Sequence, residues 1–152
     1  MNGKQIFEIS TDGPEATLAL GERIGKGLTG GEVIELRGDL GAGKTQLVRG
    51  IAKGAGSSAS VQSPSFTIMR EYACPEFVIK HYDFYRLDEP GLHLEEIIEA
   101  VADREVVSVI EWAGAVATAL PQDHTIIEIS ASSPEQRLFR IQTAGLPKEL
   151  FE

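Results

Sequence analysis

Val33-Ile34-Glu35-Leu36-Arg37 runs without a break into Gly38-Asp39-Leu40-Gly41-Ala42-Gly43-Lys44-Thr45, and the next nine residues carry Leu47, Val48 and Ile51 at helical spacing. An apolar strand, a glycine-rich turn and an amphipathic helix follow one another directly. The turn satisfies the pattern G-x-x-x-x-G-K-[ST] in full, through Gly38, Gly43, Lys44 and Thr45. Its chemistry is phosphate binding. The glycines let the backbone curl until successive N–H groups point inward, and Gly41 adds one more unhindered position. The helix that opens near Lys44 aims its positive end at the same anion. On this reading the nucleotide phosphates lie among Gly38, Asp39, Leu40, Gly41, Ala42, Gly43, Lys44, Thr45 and Gln46. Lys44 bridges the outer two phosphates and assists their transfer, while the Thr45 hydroxyl ligates magnesium. A chance match in a glycine-rich turn would not need the strand before it or the helix after it.

Outward from this stretch, strands and helices alternate. Ile6 to Ser10 alternates as a short strand, and Leu18, Leu20, Ile24 and Leu28 follow at helical spacing until the glycines at 27, 30 and 31. Beyond the P-loop helix, Phe66 to Cys74 and Phe77 to Arg86 read as strands joined by a turn at Pro75. Leu94 to Ala102 reads as a helix, Val106 to Glu111 as a buried strand, and Ala113 to Leu120 as a short helix stopped by Pro121. Thr125 to Ser130 and Arg137 to Thr143 read as an antiparallel pair. The expected architecture is α/β: one three-layer P-loop domain over residues 1–152, with a mixed central sheet between helices. The tail after Gly145 has no placement in this reading.

A P-loop needs an acidic residue at the end of a neighbouring buried strand. Glu111 ends the run Val106 to Ile110, and would hold magnesium together with Thr45. Asp83 lies in His81-Tyr82-Asp83-Phe84-Tyr85-Arg86, where a period of two puts His81, Asp83 and Tyr85 on one face. Asp83 would position or deprotonate the attacking water, or join the metal shell. The competing readings are a surface carboxylate paired with Arg86 for Asp83, and a plain strand-end charge for Glu111. Val61 to Phe66 contains Ser63-Pro64-Ser65, whose fixed backbone and two hydroxyls suit a loop that senses a γ-phosphate, or a plain turn into the next strand. Trp112, the only tryptophan, reads first as core packing and second as a contact to nucleotide or partner. His81, His93 and His124 show no metal-ligand spacing and read as structural or solvent-facing.

Composition narrows the class. The chain has 152 residues, 42% hydrophobic and 24% charged, enough to bury a core. The net charge is −9 and the 14 Lys and Arg are scattered, so no stable nucleic-acid binding by this chain alone is expected. No apolar run is long enough for a membrane span, the first ten residues do not read as a signal peptide, and a lone Cys74 permits no internal disulfide. A cytoplasmic location is expected.

The four motifs GDLGAGKT, VQSPSF, HYDFYRLDEP and IEW, in this order and spacing, resemble the TsaE family, small bacterial ATPases that support threonylcarbamoyladenosine synthesis in tRNA. The resemblance runs from about Ala16 to Thr143. It implies a P-loop fold, binding of ATP or ADP with Mg²⁺, and slow hydrolysis. It implies association with a TsaD-type and a TsaB-type subunit, which hold the tRNA and transfer the threonylcarbamoyl group to an adenosine beside the anticodon. Residue by residue, Thr45 and Glu111 match the magnesium residues and Asp83 the hydrolysis residue. Arg137 is similar in position to a nucleotide-contacting residue. Ser63, Pro64, Ser65, Tyr85, Arg86 and Trp112 fall in the switch and partner motifs. The chain departs from the family in having Ser65 where threonine is usual, and Gly114 where many members carry an acid.

Other classes fit less well. A small-molecule kinase would need a lid, which only the Pro75 turn or the acidic stretch from Leu87 to Ala102 could supply. A guanine switch would need an Asn-Lys-x-Asp loop, and the one asparagine is Asn2. A module that binds nucleotide without turnover would not need Asp83 and Glu111. Arg37 and Arg49 flank the P-loop without evident reach into it, and Arg86 could act in cis. An isolated P-loop without an arginine finger turns over at only ~10⁻⁴ to 10⁻² per second, so weak activity alone and activation by partners are expected.

Overall fold

The apolar run at Val33–Arg37 becomes the middle strand of a mixed sheet. The computed structural model describes residues 3–39, 41–64, 68–85 and 91–152, with backbone alone at 91 and 92. The strands are β1 (Gln5–Thr11), β2 (Val33–Arg37), β3 (Met69–Ala73), β4 (Val78–Asp83), β5 (Val106–Glu111), β6 (Thr125–Ala131) and β7 (Arg137–Thr143). Their order across the sheet is β1-β7-β6-β2-β5-β4-β3. The four inner strands, β6, β2, β5 and β4, run parallel. β7 and β1 extend one side antiparallel and β3 extends the other. All six residues of β5 are buried, as expected of a parallel strand covered on both faces.

Helices α1 (Pro14–Lys26) and α2 (Lys44–Gly54) cover one face. Their Leu20, Ile24, Leu47 and Ile51 pack with Ile34, Leu36, Val109 and Ile127 of the sheet. Helix α3 (Gly91–Ala102) covers the other face beside β4 and β5, where Ile97 meets Tyr82, Phe84 and Ile110. Pro14 opens α1 at a position where a missing N–H costs nothing, and Arg23 and Lys26 close it. No helix among the described residues is long and apolar enough to cross a membrane.

Four points of the sequence reading are refined by the structure. Ala113 to Leu120 is a 3₁₀ segment, Ala113–Ala119, because its apolar positions Ala113, Val116 and Ala119 recur at three, the 3₁₀ period. β3 and β4 are shorter than read from the sequence, and residues 65–67 and 86–90 lie outside the described residues. β4 stops at Asp83 because the Asp83 carboxylate accepts the Tyr85 N–H at 3.0 Å, a local turn that competes with the ladder. Tyr85 therefore sits in that turn, exposed, and does not share the face of His81 and Asp83. The tail does have a place: a second 3₁₀ segment, Lys148–Phe151, sets Phe151 against Phe7 with ring centroids 5.0 Å apart.

Candidate functional site

The C-terminal ends of β2, β4 and β5 meet below the N-terminus of α2. The P-loop leaves β2, and Gly43 caps α2 in the left-handed region at φ 107°, which glycine adopts without steric cost. Register brings the acidic residues together: Asp83, last in β4, pairs directly with Glu111, last in β5. Both are buried, at 5% and 3% exposure, so neither is a plain surface charge.

A cavity of about 320 Å³ opens between them and the loop. Gly41, Gly43, Lys44 and Thr45 line one side, and Ser63, Asp83 and Glu111 the other. Gln46 and Arg49 complete it from α2. The structure therefore joins the P-loop to Asp83, Glu111 and Ser63. Leu40, Ser65 and Arg86 lie outside the described residues. Pro64 is buried beside Ser63, and its carbonyl accepts the Ile68 N–H at 2.7 Å. Asp39 is exposed, and its carbonyl accepts the Ala42 N–H at 3.1 Å, closing the loop's turn.

Lys44 is 6% exposed and fully engaged. Its Nζ donates to the Gly38 carbonyl at 2.7 Å and lies 3.8 Å from Glu111 Oε1. It also sits 4.4 Å above the Trp112 ring, within cation–π range. Trp112 thus belongs to the site's rim as well as to the packing beneath it. It holds a left-handed backbone, φ 56°, uncommon for a bulky residue, and its ring meets that of Tyr85 at 4.8 Å.

Arg137 Nε donates to the Ala42 carbonyl at 2.9 Å, and its Nη1 donates to the carbonyls of Ser133, Pro134 and Gln136. It ties the β6–β7 turn to the back of the P-loop. It also lines a second cavity, about 220 Å³, with Gly13, Pro14, Thr17 and Pro134; this cavity shares Gly43 and Gln46 with the first.

Two residues that the sequence reading set aside belong here. Arg49 reaches the cavity after all: it lies one helical turn beyond Thr45, and its Nε donates to the Val61 carbonyl at 3.3 Å. The i, i+4 spacing from Thr45 was the available signal. Of the two readings, structural or solvent-facing, His81 takes the first: it is fully buried, with Nε2 2.6 Å from Glu111 Oε2. Its position two before Asp83 on the same face of β4 was the signal.

Away from this site, a second polar cluster surrounds Glu35. Glu35 on β2 accepts from Arg37 at 2.7 Å and lies 2.8 Å from His124 Nε2. Burial pushes its carboxyl up, but the hydrogen bonds from His124 and Arg37 outweigh it and hold the carboxyl at about 2. Burial raises the Cys74 thiol, which keeps it in its unreactive form. A further cavity, about 430 Å³, lies at the N-terminal ends of β2 and β6 among Gly31, Arg104, His124 and Thr125, away from the P-loop.

The chain is similar to known proteins over most of its length. The family described as threonylcarbamoyl adenosine biosynthesis protein TsaE matches residues 11–139. The chain is 40% identical over 111 residues to the tRNA threonylcarbamoyladenosine biosynthesis protein TsaE of Nostoc sp., covering 71% of this chain and 68% of that one. It is 34% identical over 137 residues to the Bacillus subtilis protein of that name, covering 89% and 84%. The crystal structure of Bacillus subtilis YdiB superposes with a TM-score of 0.75 at 29% identity, covering 93% of this chain and 88% of that one. The P-loop, the paired carboxylates and these likenesses agree: the chain belongs to the TsaE family of tRNA threonylcarbamoyladenosine biosynthesis and carries its P-loop NTPase fold.

Proposed function

We propose that the chain binds ATP or ADP with Mg²⁺, hydrolyses ATP slowly by itself, and uses that cycle to bind and reset a complex of TsaD-type and TsaB-type subunits. The observation that carries this reading is the convergence of Lys44, Thr45, Asp83 and Glu111 on one cavity under the α2 N-terminus. The loop's backbone N–H groups and the helix end take the phosphates, and Lys44 exchanges its Gly38 contact for the outer phosphate oxygens. The purine lies in the adjoining cavity beside Arg137, whose guanidinium keeps the P-loop's far side in place.

The donor set suits magnesium: a hydroxyl from Thr45 and a carboxylate from Glu111 are both hard oxygen ligands. Among the described residues no three His, Cys, Asp or Glu side chains gather into a ready metal cage. That fits an ion held mainly by nucleotide phosphates and water, with one or two carboxylates. When bound, the ion neutralises charge on the outer phosphates. Asp83 orients the attacking water and takes its proton as the water oxygen bonds to the γ-phosphorus and the bond to the β-phosphate oxygen breaks. The products are ADP and phosphate. The described residues put one arginine, Arg49, at the cavity, and its guanidinium is engaged with Val61 and Gln46. Slow turnover alone follows, with the remaining charge stabilisation coming from a partner. Exposed Tyr85 and the adjoining Trp112, at the rim, are where a partner would sense the nucleotide.

The test is phosphate release from Mg²⁺-ATP by the chain alone and with both partner subunits. Slow release alone, a rise with both partners, and loss in Lys44→Ala and Asp83→Ala support the reading. No change with partners, or rapid turnover by the isolated chain, rejects it.

A further inference from the structure

A line of hydrogen bonds leaves the site through the core. His81 Nε2 donates to Glu111 Oε2 at 2.6 Å, while Glu111 Oε1 faces Lys44. On the other side of the imidazole, Nδ1 lies 3.3 Å from the hydroxyl of Tyr72 on β3. That hydroxyl donates to the backbone carbonyl of Gln62 at 3.0 Å. Burial pushes the Tyr72 phenol up, so its proton stays on. The ring is thus held between Glu111 and Tyr72. Gln62 immediately precedes Ser63, which lines the phosphate cavity. The carbonyl before it, Val61, is held by Arg49. Two successive carbonyls of this loop are thus fixed, one from the P-loop helix and one from β3.

A carboxylate turns easily about its last torsion. A short charge-assisted bond on one oxygen fixes the direction of the other, and groups behind a metal-binding carboxylate commonly act this way. An imidazole, a phenol and a carboxylate are costly to bury, and apolar side chains would fill this part of the core at lower cost. We infer that His81 is a positioning residue that aims Glu111 Oε1 at the metal–phosphate site, and that Tyr72 ties that carboxylate to the loop Val61–Pro64. The inference rests on the reading that Glu111 holds the ion.

The experiment is calorimetric titration of the full chain with ADP across a magnesium series, which requires no turnover. His81→Ala should raise the magnesium half-saturation about tenfold or more, with magnesium-free ADP affinity held within about twofold. His81→Gln, whose amide can donate to Glu111, should recover most of that loss. Tyr72→Phe removes one oxygen and no packing volume, and should raise the half-saturation about threefold and speed amide exchange at Ser63. Glu111→Gln separates the two levels. If it abolishes the magnesium effect and His81→Ala does not, the positioning role is overturned and the metal reading stands. If Glu111→Gln leaves magnesium dependence intact, the metal reading itself fails, and this inference with it. Should His81→Ala not fold, Tyr72→Phe decides: an unchanged half-saturation overturns the relay.

Discussion

The P-loop helix is seated by backbone against backbone, and Gly50→Ala tests how tightly. Gly50 of α2 faces Gly21 of α1. A methyl group at Gly50 would stand 2.2 Å from the Leu18 carbonyl oxygen and 2.8 Å from Gly21 Cα. Neither atom can swing aside. An ordinary carbon–oxygen contact is about 3.3 Å, so the helices must part by about 1 Å. Leu20, Ile24, Leu47 and Ile51 flank this seam at 1% exposure or less. A gap of that size forfeits roughly a quarter to a half of each dispersion contact. Overpacking of this kind costs about 1–3 kcal/mol, and the upper end applies to two backbone clashes. Alanine's better helix propensity returns about 1 kcal/mol, leaving a net loss of about 2 kcal/mol. For a chain of this size that is about 4–8 °C in Tm. Urea denaturation followed by circular dichroism gives the number, with an unchanged slope if the unfolded state is the same. Gly114→Ala is the control, because a Cβ there meets nothing within 4 Å. Since α2 opens at Lys44 and Thr45, the displaced helix should also weaken ADP binding. A Gly50→Ala protein with the parental midpoint and parental ADP affinity would refute the claim that this contact seats the P-loop.

Other outcomes follow from the same geometry. Asp83→Ala should keep nucleotide affinity, because the P-loop supplies the phosphate contacts, and lose about 100-fold or more in phosphate release; comparing binding with single-turnover hydrolysis checks it. Arg137→Ala frees four carbonyls, including that of Ala42, and should weaken ADP binding several-fold while costing about 1–2 kcal/mol of stability, read by calorimetry and urea denaturation. Glu35 has a folded pKa of about 2 against an ordinary 4.5, so its contribution is complete above 4.5 and is lost as the pH falls from there through 2. Glu35→Gln should therefore cost about 2–3 kcal/mol at pH 7 and little at pH 2, and a constant difference across that range would refute the ion cluster's role.

Most of the fold was legible because its signals are local. The β2–P-loop–α2 unit announces itself through apolar residues, four special positions and helical spacing, with no need of distant contacts. β5 was legible as a nearly continuous apolar run, broken only by Ser108, ending in Glu111. The site was legible where a motif carries it, as in Lys44 and Thr45, and where strand ends predict it, as in Glu111. What escaped depends on neighbours. That Asp83 stands directly beside Glu111 is a fact of parallel register between strands joined through α3. His81 looked unremarkable because its meaning comes from a residue 30 positions away. Arg49 looked remote because the loop it holds at Val61 folds back only in three dimensions. The short helix after Trp112 was legible, but not its 3₁₀ winding, because a period of three and a period of 3.6 hardly differ over seven residues.

On the proposed reading, the same contacts would let this site respond to nucleotide. Lys44 and His81 stand on either side of Glu111, and Lys44 is further engaged by Gly38 and the Trp112 ring. A phosphate that draws Lys44 away leaves Glu111 Oε1 without its cation, which favours an incoming magnesium at that oxygen. Oε2 remains fixed by His81, so the exchange is made on one oxygen only. Lys44 at the same time leaves Trp112, whose left-handed backbone and contact with Tyr85 make it the point where a change at the phosphate becomes a change at the surface. One ligand contact thus moves charge inward toward Glu111 and shape outward toward the rim. On that argument, nucleotide binding and partner binding are coupled through Lys44, and Lys44→Ala should remove the dependence of partner affinity on nucleotide rather than only weaken nucleotide binding. Measuring partner affinity with and without saturating ADP in both proteins decides it: a nucleotide effect that persists in Lys44→Ala would break the link.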